Sequence, residues 1–491
     1  MMSDDQNTRG AWLVLTATAL AGMMDGVDAT ALAVANPGLA RDLHASLPEL
    51  ESLTVGYMLA MAMALVPAGA LADRIGHRRV FLAGLGGFVL SSLLVGVSDS
   101  VWQIIAWRVL QGASGAMLAA SSLALLRHAF PPERLKVAIG LWSSGLAVAV
   151  LVGPFIGGAL VQFVHWRAIF FVNAPIGAIA FVLVLIAAKH GTRPPSPARF
   201  DVAGAMLLTA AVFALVIGVT RAQVEGWAST VPLVALGAAV VLVGTFGLHE
   251  RRVVDPLFPP AVLRTRRLVV ALAVIMAAGF SHFGTSFYYA LYLQQVRGFT
   301  PLAAGAGLLP IIGLVAVGAP ASGLLNRRYG PRLPVVTGLG LLSAGACGLS
   351  VFGVDADLPV VLACVLPMGL GIGFAQPTAV EVAISAAPPE IAGRVAGLQQ
   401  TVLMISGSLG AAIFGSIIAA SAPEFAGHAV VVDSERYLAG FGHATMLGAA
   451  LTFLAALAAA ARGGLTPSLS RTQGGSPRRY RTLRLPLERE R

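Results

Sequence analysis

Two carboxylates lie inside the first long apolar stretch of this chain, residues 12–39, at Asp25 and Asp28. An ionisable side chain in bilayer hydrocarbon costs at least about 2.5 kcal/mol on insertion scales. Residues three apart on a helix share one face, so we expect the two carboxylates to lie side by side. Acidic groups at membrane depth are typical of proton relays, and this is the chemistry that the pair predicts.

The composition is that of an integral membrane protein. Of 491 residues, 57% are hydrophobic and only 11% are charged, whereas a soluble domain has about 25% charged residues. The two cysteines, Cys347 and Cys364, lie in apolar stretches and predict no disulfide. The N-terminus shows no pattern of a cleaved signal peptide. Neither lysine follows a glycine, so no Walker A motif is present.

Runs of about 20 apolar residues predict an all-α membrane protein with fourteen transmembrane helices. These lie near residues 11–36, 52–72, 80–98, 101–126, 136–160, 168–188, 202–220, 229–248, 268–293, 302–325, 333–353, 358–382, 394–420 and 437–461. Most of the 33 lysine and arginine residues fall in alternate loops and in the C-terminal tail. The positive-inside rule therefore predicts cytoplasmic termini and a multi-pass protein of the cell membrane. It also explains the net charge of +10 without a nucleic-acid partner.

This division of the chain predicts five regions. They are a cytoplasmic N-terminal segment (1–10), an N-terminal six-helix bundle (11–188), a linker with two additional transmembrane helices (189–267), a C-terminal six-helix bundle (268–461) and a disordered basic tail (462–491).

The turn between the second and third predicted helices combines one acid with glycines and arginines. Its members are Gly69, Asp73, Arg74, Gly76, Arg78 and Arg79. An acid there can pair with a helix terminus or a basic group, and breaking that contact on rocking would separate two states. We interpret the turn as a conformational latch. A related copy in the second half, residues 323–332, carries Asn326 at the acid position, which predicts a weaker, hydrogen-bonded latch.

This turn resembles the signature loop of the major facilitator superfamily of secondary transporters, and its two copies fit the internal repeat of that fold. The sequence Arg108-Val-Leu-Gln111-Gly112 resembles the fourth-helix motif, whose buried arginine is implicated in proton transfer. Because arginine cannot lose its own proton, Arg108 would act on the ionisation of a nearby carboxylate as the two approach or separate. The alternative is an arginine that snorkels to one membrane face.

The fifth predicted helix carries a run of glycines around one proline: Gly145, Gly153, Pro154, Gly157 and Gly158. The run resembles the antiporter motif, which marks exporters in the superfamily. Glycines four residues apart allow a partner helix to approach closely, and the proline bends its helix. A plain small-residue interface would explain one pair of these glycines but less easily the whole run.

Two further segments resemble the fourteen-helix drug:proton antiporter branch. Residues 166–177 are similar to the entry of its sixth helix, and residues 28–37 to its first-helix motif. The second match is incomplete, since Ala33 occupies the usual asparagine position and Asn36 stands where an apolar residue is common. The two additional central helices also fit this branch.

The resemblance implies that Asp28, Asp25 and Arg108 couple transport to protons, with Asp28 as the main carrier. For Asp25, a structural hydrogen bond is an equal alternative. Methionine and aromatic side chains suit adaptable binding of apolar or cationic compounds, although ordinary core or lipid packing also accounts for them. The substrate-binding candidates are Met24, Asn36, Met58, Met61, His282, Phe283, Phe287 and Tyr288.

We therefore expect a secondary active transporter, not an enzyme, that exports amphiphilic or hydrophobic drugs in exchange for protons by alternating access. It should need no cofactor or metal and should act as a monomer in the bilayer. The alternatives are a proton-coupled exporter of an endogenous lipid or secondary metabolite, or a non-transporting receptor on the same fold.

Overall fold

The computed structural model describes residues 2–187, 201–253, 256, 258, 260–351, 353, 356–387, 392–424 and 433–461. Within these residues the chain is helical nearly throughout and contains no β-strand. The predicted tail at 462–491 and residues 189–200 of the predicted linker lie outside the described residues.

The first half consists of six helical spans, of which the sixth is broken after Phe171. The helices are α1 (Met2–Leu43), α2 (Leu47–Ile75), α3 (His77–Gly96), α4 (Val101–Ala129), α5 (Pro132–Phe163), α6 (Ala168–Phe171) and α7 (Asn173–Ala187). The long α8 (Val202–Glu225) and α9 (Thr230–Glu250) follow as a hairpin, and the short α10 (Pro260–Leu263) precedes the second half.

The second half also has six spans, and a π-helical turn, Tyr292–Val296, extends the first of them. The helices are α11 (Arg266–Leu291), α12 (Pro301–Tyr329), α13 (Arg332–Leu349), α14 (Leu358–Ser385), α15 (Ala392–Ser421) and α16 (Ser434–Ala460).

Thirteen of the fourteen predicted spans each overlap one of these long helices, and the sixth, predicted at 168–188, overlaps α6 and α7 together. In the described part of the chain, twelve helices are long and apolar enough to cross a membrane. A thirteenth is α2, if its two parts, bent by 47° around Pro67, form one span. The apolar part of α8, Ala203–Val219, is shorter than the others. The chain is therefore an all-α, multi-pass membrane protein.

Local sequence sets the ends of α2 and explains two of the motif glycines. Glu49 accepts a hydrogen bond from the Ser46 backbone N–H at 2.8 Å, as part of a capping box that starts α2 at Leu47. The buried acid Glu51 therefore lies inside this helix, four residues after its start. Gly76 ends α2 with φ +98°, and Gly330 ends α12 with φ +81°. Since this backbone region favours glycine, both copies of the loop motif need glycine at the same place.

The two halves meet mainly through two pairs of helices. Within the first half, α1 packs on α5 and α7, and α2 packs on α4; within the second half, α11 packs on α15 and α16, and α14 on α12 and α13. Between the halves, α5 packs on α12 and α2 packs on α15. The α8–α9 hairpin adds to this arrangement through contacts of α8 with α2 and α15.

The bundle is closed at one end. We call this the Leu43 end, where α1 finishes and α2 starts, and the opposite end the Ile75 end. Near the Leu43 end, Gln294 Nε2 donates to the Val34 carbonyl at 3.1 Å, and the Leu302 N–H donates to Gln162 Oε1 at 3.2 Å. Both hydrogen bonds join the first half to the second.

The interface helices have open space toward the Ile75 end. Four glycines lie in that part of α2, α5, α12 and α15: Gly69, Gly140, Gly323 and Gly397. A Cβ atom added at any of them would meet no atom of the described chain within 4 Å. The halves are therefore joined at the Leu43 end and not at these four positions.

Candidate functional site

A buried ion pair occupies the centre of the first half. Arg108 of α4 donates through Nη1 to Asp28 Oδ2 of α1, and the two side chains are 1% and 0% exposed. The same Nη1 lies 2.8 Å from Gln111 Oε1. The guanidinium thus points into the bundle, not toward a membrane face.

Amide and hydroxyl groups complete the surroundings of the Asp28 carboxylate. Its Oδ1 accepts from Gln111 Nε2 at 3.0 Å and from Asn173 Nδ2 at 3.3 Å. Ser92 Oγ of α3 in turn lies 2.8 Å from Gln111 Nε2 and 3.1 Å from Asn173 Nδ2. Helices α1, α3, α4 and α7 therefore all contribute to one hydrogen-bonded cluster.

Helix α2 holds Arg108 from the other side. The Arg108 Nε lies 3.4 Å from the Leu53 carbonyl, and the guanidinium carbon is 4.2 Å from the centre of the Tyr57 ring. The face of an aromatic ring attracts a cation in this arrangement. A change in the position of Arg108 would therefore alter its contacts with Leu53 and Tyr57 of α2.

Asp25 has different surroundings from Asp28. It is half-buried, and the Tyr57 hydroxyl donates to its Oδ1. On α4, a Cβ added at Gly115 would lie 3.2 Å from this carboxylate oxygen. Tyr57 thus separates the Asp25 carboxylate from Arg108, and the two acids of α1 have distinct partners.

The Asp28–Arg108 pair is the charged contact that joins α1 to α4. In this conformation Asp28 accepts a charge-assisted hydrogen bond from Arg108 and hydrogen bonds from two amide donors. If α1 moved away from α4, both charges would be left buried and unpaired, at a cost of about 3–5 kcal/mol.

Among the substrate-binding candidates, the structure brings Met58 and Phe283 together across the two halves. A Cβ added at Gly407 of α15 would lie 3.1 Å from Met58 Sδ and 2.9 Å from the Phe283 ring. The His282 and Phe283 ring centres are 5.3 Å apart, and the Phe287 and Tyr288 rings meet edge to face. Met58 and Phe283 therefore lie at the interface between α2, α11 and α15.

The other candidates lie elsewhere. Met24 is buried, with its Sδ 3.7 Å from a Cβ added at Gly177 of α7, which places it in the packing of the first half. Met61 is buried on α2. Asn36 is fully buried on α1, and neither polar atom of its side chain has a hydrogen-bond partner in the described chain. Their role in binding stays a prediction.

The predicted latch residues lie at the Ile75 end and make contacts within each half. Asp73 is 66% exposed and lies 3.5 Å from His77 Nε2, while Arg78 Nη2 donates to the Leu185 carbonyl at 3.3 Å; Arg74 and Arg79 are exposed. In the second copy, Asn326 Nδ2 donates to Glu381 Oε2 at 2.8 Å. The hydrogen bond predicted for Asn326 thus has Glu381 of α14 as its partner.

The antiporter-motif glycines pack α5 against two different helices. On the side of α1, a Cβ at Gly153 would collide with Thr30, and one at Gly157 with Ala31; Gly145 faces Met23 at 3.6 Å. On the side of α12, a Cβ at Gly158 would lie 2.5 Å from the Pro301 carbonyl oxygen. In the same contact, a Cβ at Gly305 of α12 would collide with the Pro154 carbonyl of α5. The motif therefore permits close packing on α1 and on the other half at once.

Replacing Gly158 by valine is expected to disfavour closure of the Leu43 end, because the new side chain would overlap the α12 backbone at Pro301. Overpacking costs about 1–3 kcal/mol, which shifts a two-state equilibrium roughly 5–150-fold. The distance between spin labels at Asp99→Cys in the first half and Val351→Cys in the second, with Cys347 and Cys364 replaced by serine, would report the change, as would transport itself. Gly244→Val is the matched control and should behave as wild type, because Gly244 has open space around it and lies on α9, which packs on α8 and not on the interface between the halves.

Sequence reasoning did not assign a role to Tyr57, Ser92 or Asn173. Tyr57 and Ser92 are hydroxyl residues in apolar helices, and only the folded arrangement shows that they face Asp25 and the Asp28 cluster. Asn173 and Gln111 did lie in recognised motifs, and their buried amides are the signal that could have connected them with Asp28.

A family model for the Major Facilitator Superfamily matches residues 18–411. The chain belongs to this superfamily. It is accordingly a membrane transporter and not an enzyme, as its motifs predict. The match spans the Asp28–Arg108 pair, the loop motif and the antiporter motif.

The curated relatives that it resembles include named export and resistance proteins. It is 41% identical over 408 residues to the tetracenomycin C resistance and export protein of Streptomyces glaucescens, covering 83% of this chain and 76% of that protein. It is 34% identical to the multidrug resistance protein Stp of Mycobacterium tuberculosis, with the same coverage. It is 33% identical to the methylenomycin A resistance protein of Streptomyces coelicolor, covering 82% and 85%.

Among solved structures, an auto-inhibited peptide transporter of the POT family superposes with a TM-score of 0.70, covering 92% of this chain and 96% of that chain. The two sequences are 15% identical, so this likeness concerns the fold alone.

Proposed function

We propose that this protein is a drug efflux transporter that exports amphiphilic or hydrophobic small molecules in exchange for protons. The observation that carries the proposal is the buried Asp28–Arg108 pair with its amide donors. The names of the relatives support the cargo class, since three of them are called export or resistance proteins for drugs. The endogenous lipid or metabolite exporter and the receptor remain the alternatives.

The proposed cycle places the Ile75 end in the cytoplasm of the cell membrane. The arginines of the loop motifs, Arg78, Arg79, Arg327 and Arg328, lie at that end, and the positive-inside rule favours it as the inner face. Closed at the Leu43 end, the structure then corresponds to an inward-facing transporter that can receive cargo from the cytoplasm or the inner leaflet. The division into bundles at 11–188 and 268–461 supplies the two bodies that would rock.

In this cycle, cargo binding and proton release are linked through α1, α2 and α4. Cargo enters between the halves near Met58 and Phe283, while Asp28 is held by Arg108. When the Leu43 end opens, cargo leaves and a proton from the outside neutralises Asp28. The neutral acid no longer holds Arg108, and the protein returns to the inward-facing state, where the proton is released. Each step changes one contact of the buried cluster.

Transport by inverted membrane vesicles tests this function. Tetracenomycin C serves as the probe, and we expect its accumulation in vesicles that contain the protein when the vesicle interior is acidic. Collapse of the pH gradient with nigericin should return accumulation to the level of vesicles without the protein. Accumulation that is unaffected by nigericin would contradict proton exchange. An absence of proton flux with this compound and with a panel of drugs and lipids would favour the receptor.

A further inference from the structure

A second buried carboxyl lies between the two halves, outside the hydrogen bonds of the Asp28–Arg108 pair. Glu51, in the second turn of α2, is 2% exposed. Tyr288 of α11 donates its hydroxyl to Glu51 Oε1, and this hydroxyl oxygen lies 3.2 Å from the Ala411 carbonyl oxygen of α15. One acid thus connects α2 of the first half with α11 and α15 of the second half.

The surroundings of this carboxyl are closely packed. The Tyr437 hydroxyl of α16 donates to the Tyr288 carbonyl at 2.8 Å, which holds that turn of α11 in place. On α15, a Cβ added at Gly415 would collide with both Glu51 Oε1 and the Tyr288 hydroxyl. Glycine at this position allows the polar groups of α2 and α11 to reach α15.

Several titratable or charged groups lie on the elements around Glu51. They are Tyr288 on α11, Tyr437 on α16, Arg108 on α4, Arg41 and Asp42 on α1, Arg221 and Glu225 on α8, and Glu49 on α2 itself, while α15 presents Ala411 and Gly415. Arg108 reaches α2 at the Leu53 carbonyl but directs Nη1 toward Asp28. Arg221 pairs with Glu225 at 3.2 Å, and Asp42 accepts from Trp166 Nε1 at 2.8 Å.

Opening of the Leu43 end must separate α2 from α11 and α15. The Glu51 carboxyl would then leave Tyr288 and meet water. An ionised carboxylate gains much more hydration on exposure than a neutral acid does. The neutral acid, in contrast, keeps its hydrogen bond with Tyr288 when the end is closed. Protonation of Glu51 therefore favours the closed end, and ionisation favours the open end.

We propose that Glu51 is a second proton-binding residue of the transport cycle, which closes the Leu43 end through Tyr288 when protonated and releases it when ionised. This rests on the proposed proton-coupled export and extends it. Helix α2 connects the two acids, because Arg108 contacts the Leu53 carbonyl two residues after Glu51. Movement of Arg108 during the Asp28 step would thus shift the helix that carries Glu51.

Distances across the Leu43 end test the proposal without any cargo or gradient. Spin labels are placed at Asp99→Cys in the first half and Val351→Cys in the second, both highly exposed, with Cys347 and Cys364 replaced by serine. The full chain carries Asp25→Asn and Asp28→Asn, so these two acids inside the apolar stretch of α1 no longer titrate. From acidic to alkaline pH in nanodiscs, we expect the population with a long inter-label distance to grow.

Adding Glu51→Gln should abolish this growth and keep the distance short at every pH. Tyr288→Phe removes only the hydroxyl that bonds Glu51 in the closed state and should move the transition to lower pH. Glu49→Gln, on the same turn, is the control and should leave the transition in place. A full pH response with Glu51→Gln, or an unchanged midpoint with Tyr288→Phe, would overturn the proposal. Because vesicle transport is measured separately, failure of this inference is distinguishable from failure of the proposed function.

Discussion

Asp28→Asn is expected to abolish proton-driven accumulation of tetracenomycin C in inverted vesicles. Asparagine is close to aspartate in size and can still accept from Arg108 Nη1, but it cannot bind and release a proton. The variant should therefore insert and bind cargo, and exchange labelled for unlabelled compound across the membrane should persist. Accumulation with an acidic interior should fall to the level of vesicles without the protein.

Asp25→Asn provides the comparison for this experiment. Asp25 lies three residues away on the same helix face, but its partner is the Tyr57 hydroxyl and not Arg108. We expect this variant to retain proton-driven accumulation at a reduced rate. Undiminished accumulation by Asp28→Asn would remove Asp28 from the coupling step, and loss of exchange as well as accumulation would point to a folding defect.

Arg108→Gln is expected to cause a large loss of stability. Removal of one partner of a buried pair leaves the other charge unpaired, which costs about 3–5 kcal/mol. Denaturant titration of the purified protein in detergent measures this loss. The double variant Asp28→Asn/Arg108→Gln removes both charges, so it should recover most of the stability, since the two effects are coupled and not additive.

The double variant also separates folding from transport. It is expected to be stable, yet it should not accumulate drug, because both proton binding and the charge that responds to it are lost. Arg436→Gln is a suitable surface control, since Arg436 is 62% exposed and 3.9 Å from Glu424; it should change stability by less than about 1 kcal/mol. If the double variant is as unstable as Arg108→Gln, the loss of stability does not come from the unpaired charge of Asp28.

Much of the fold follows from hydropathy, because a helix that crosses a bilayer must be apolar over about 20 residues. The positions of the helices along the chain were therefore predictable. The family was also predictable from its motifs, and the structure explains why these motifs contain glycine. Gly76 and Gly330 take positive φ at helix ends, and Gly158 and Gly305 allow α5 and α12 to touch. The ends of the helices were harder to predict, since α1 runs to Leu43 and the predicted helix ends at residue 36.

The site was predictable only in part. Asp28 and Arg108 stand out because charges are rare in apolar helices, whereas Tyr57 and Ser92 carry no such signal. Glu51 was missed for a different reason: the predicted second helix starts at residue 52, so the acid counts as part of a solvated loop. The capping box of Ser46 and Glu49 starts the helix earlier and carries Glu51 into the interface.

The α8–α9 hairpin makes the two lateral seams of the transporter unequal. Helix α8 contacts both α2 and α15, and Thr209 Oγ1 donates to the Met63 carbonyl at 3.2 Å. The seam between α5 and α12 has no such outer cover in the described part of the chain, and Phe155 and Val317 are exposed along these two helices. A hydrophobic compound that diffuses within the lipid leaflet would thus meet α8 and α9 in front of the α2–α15 seam, but no such helices of the described chain in front of the α5–α12 seam. Its entry from the membrane would therefore be favoured at the α5–α12 seam, which gives the transporter a preferred direction of uptake in the plane of the membrane.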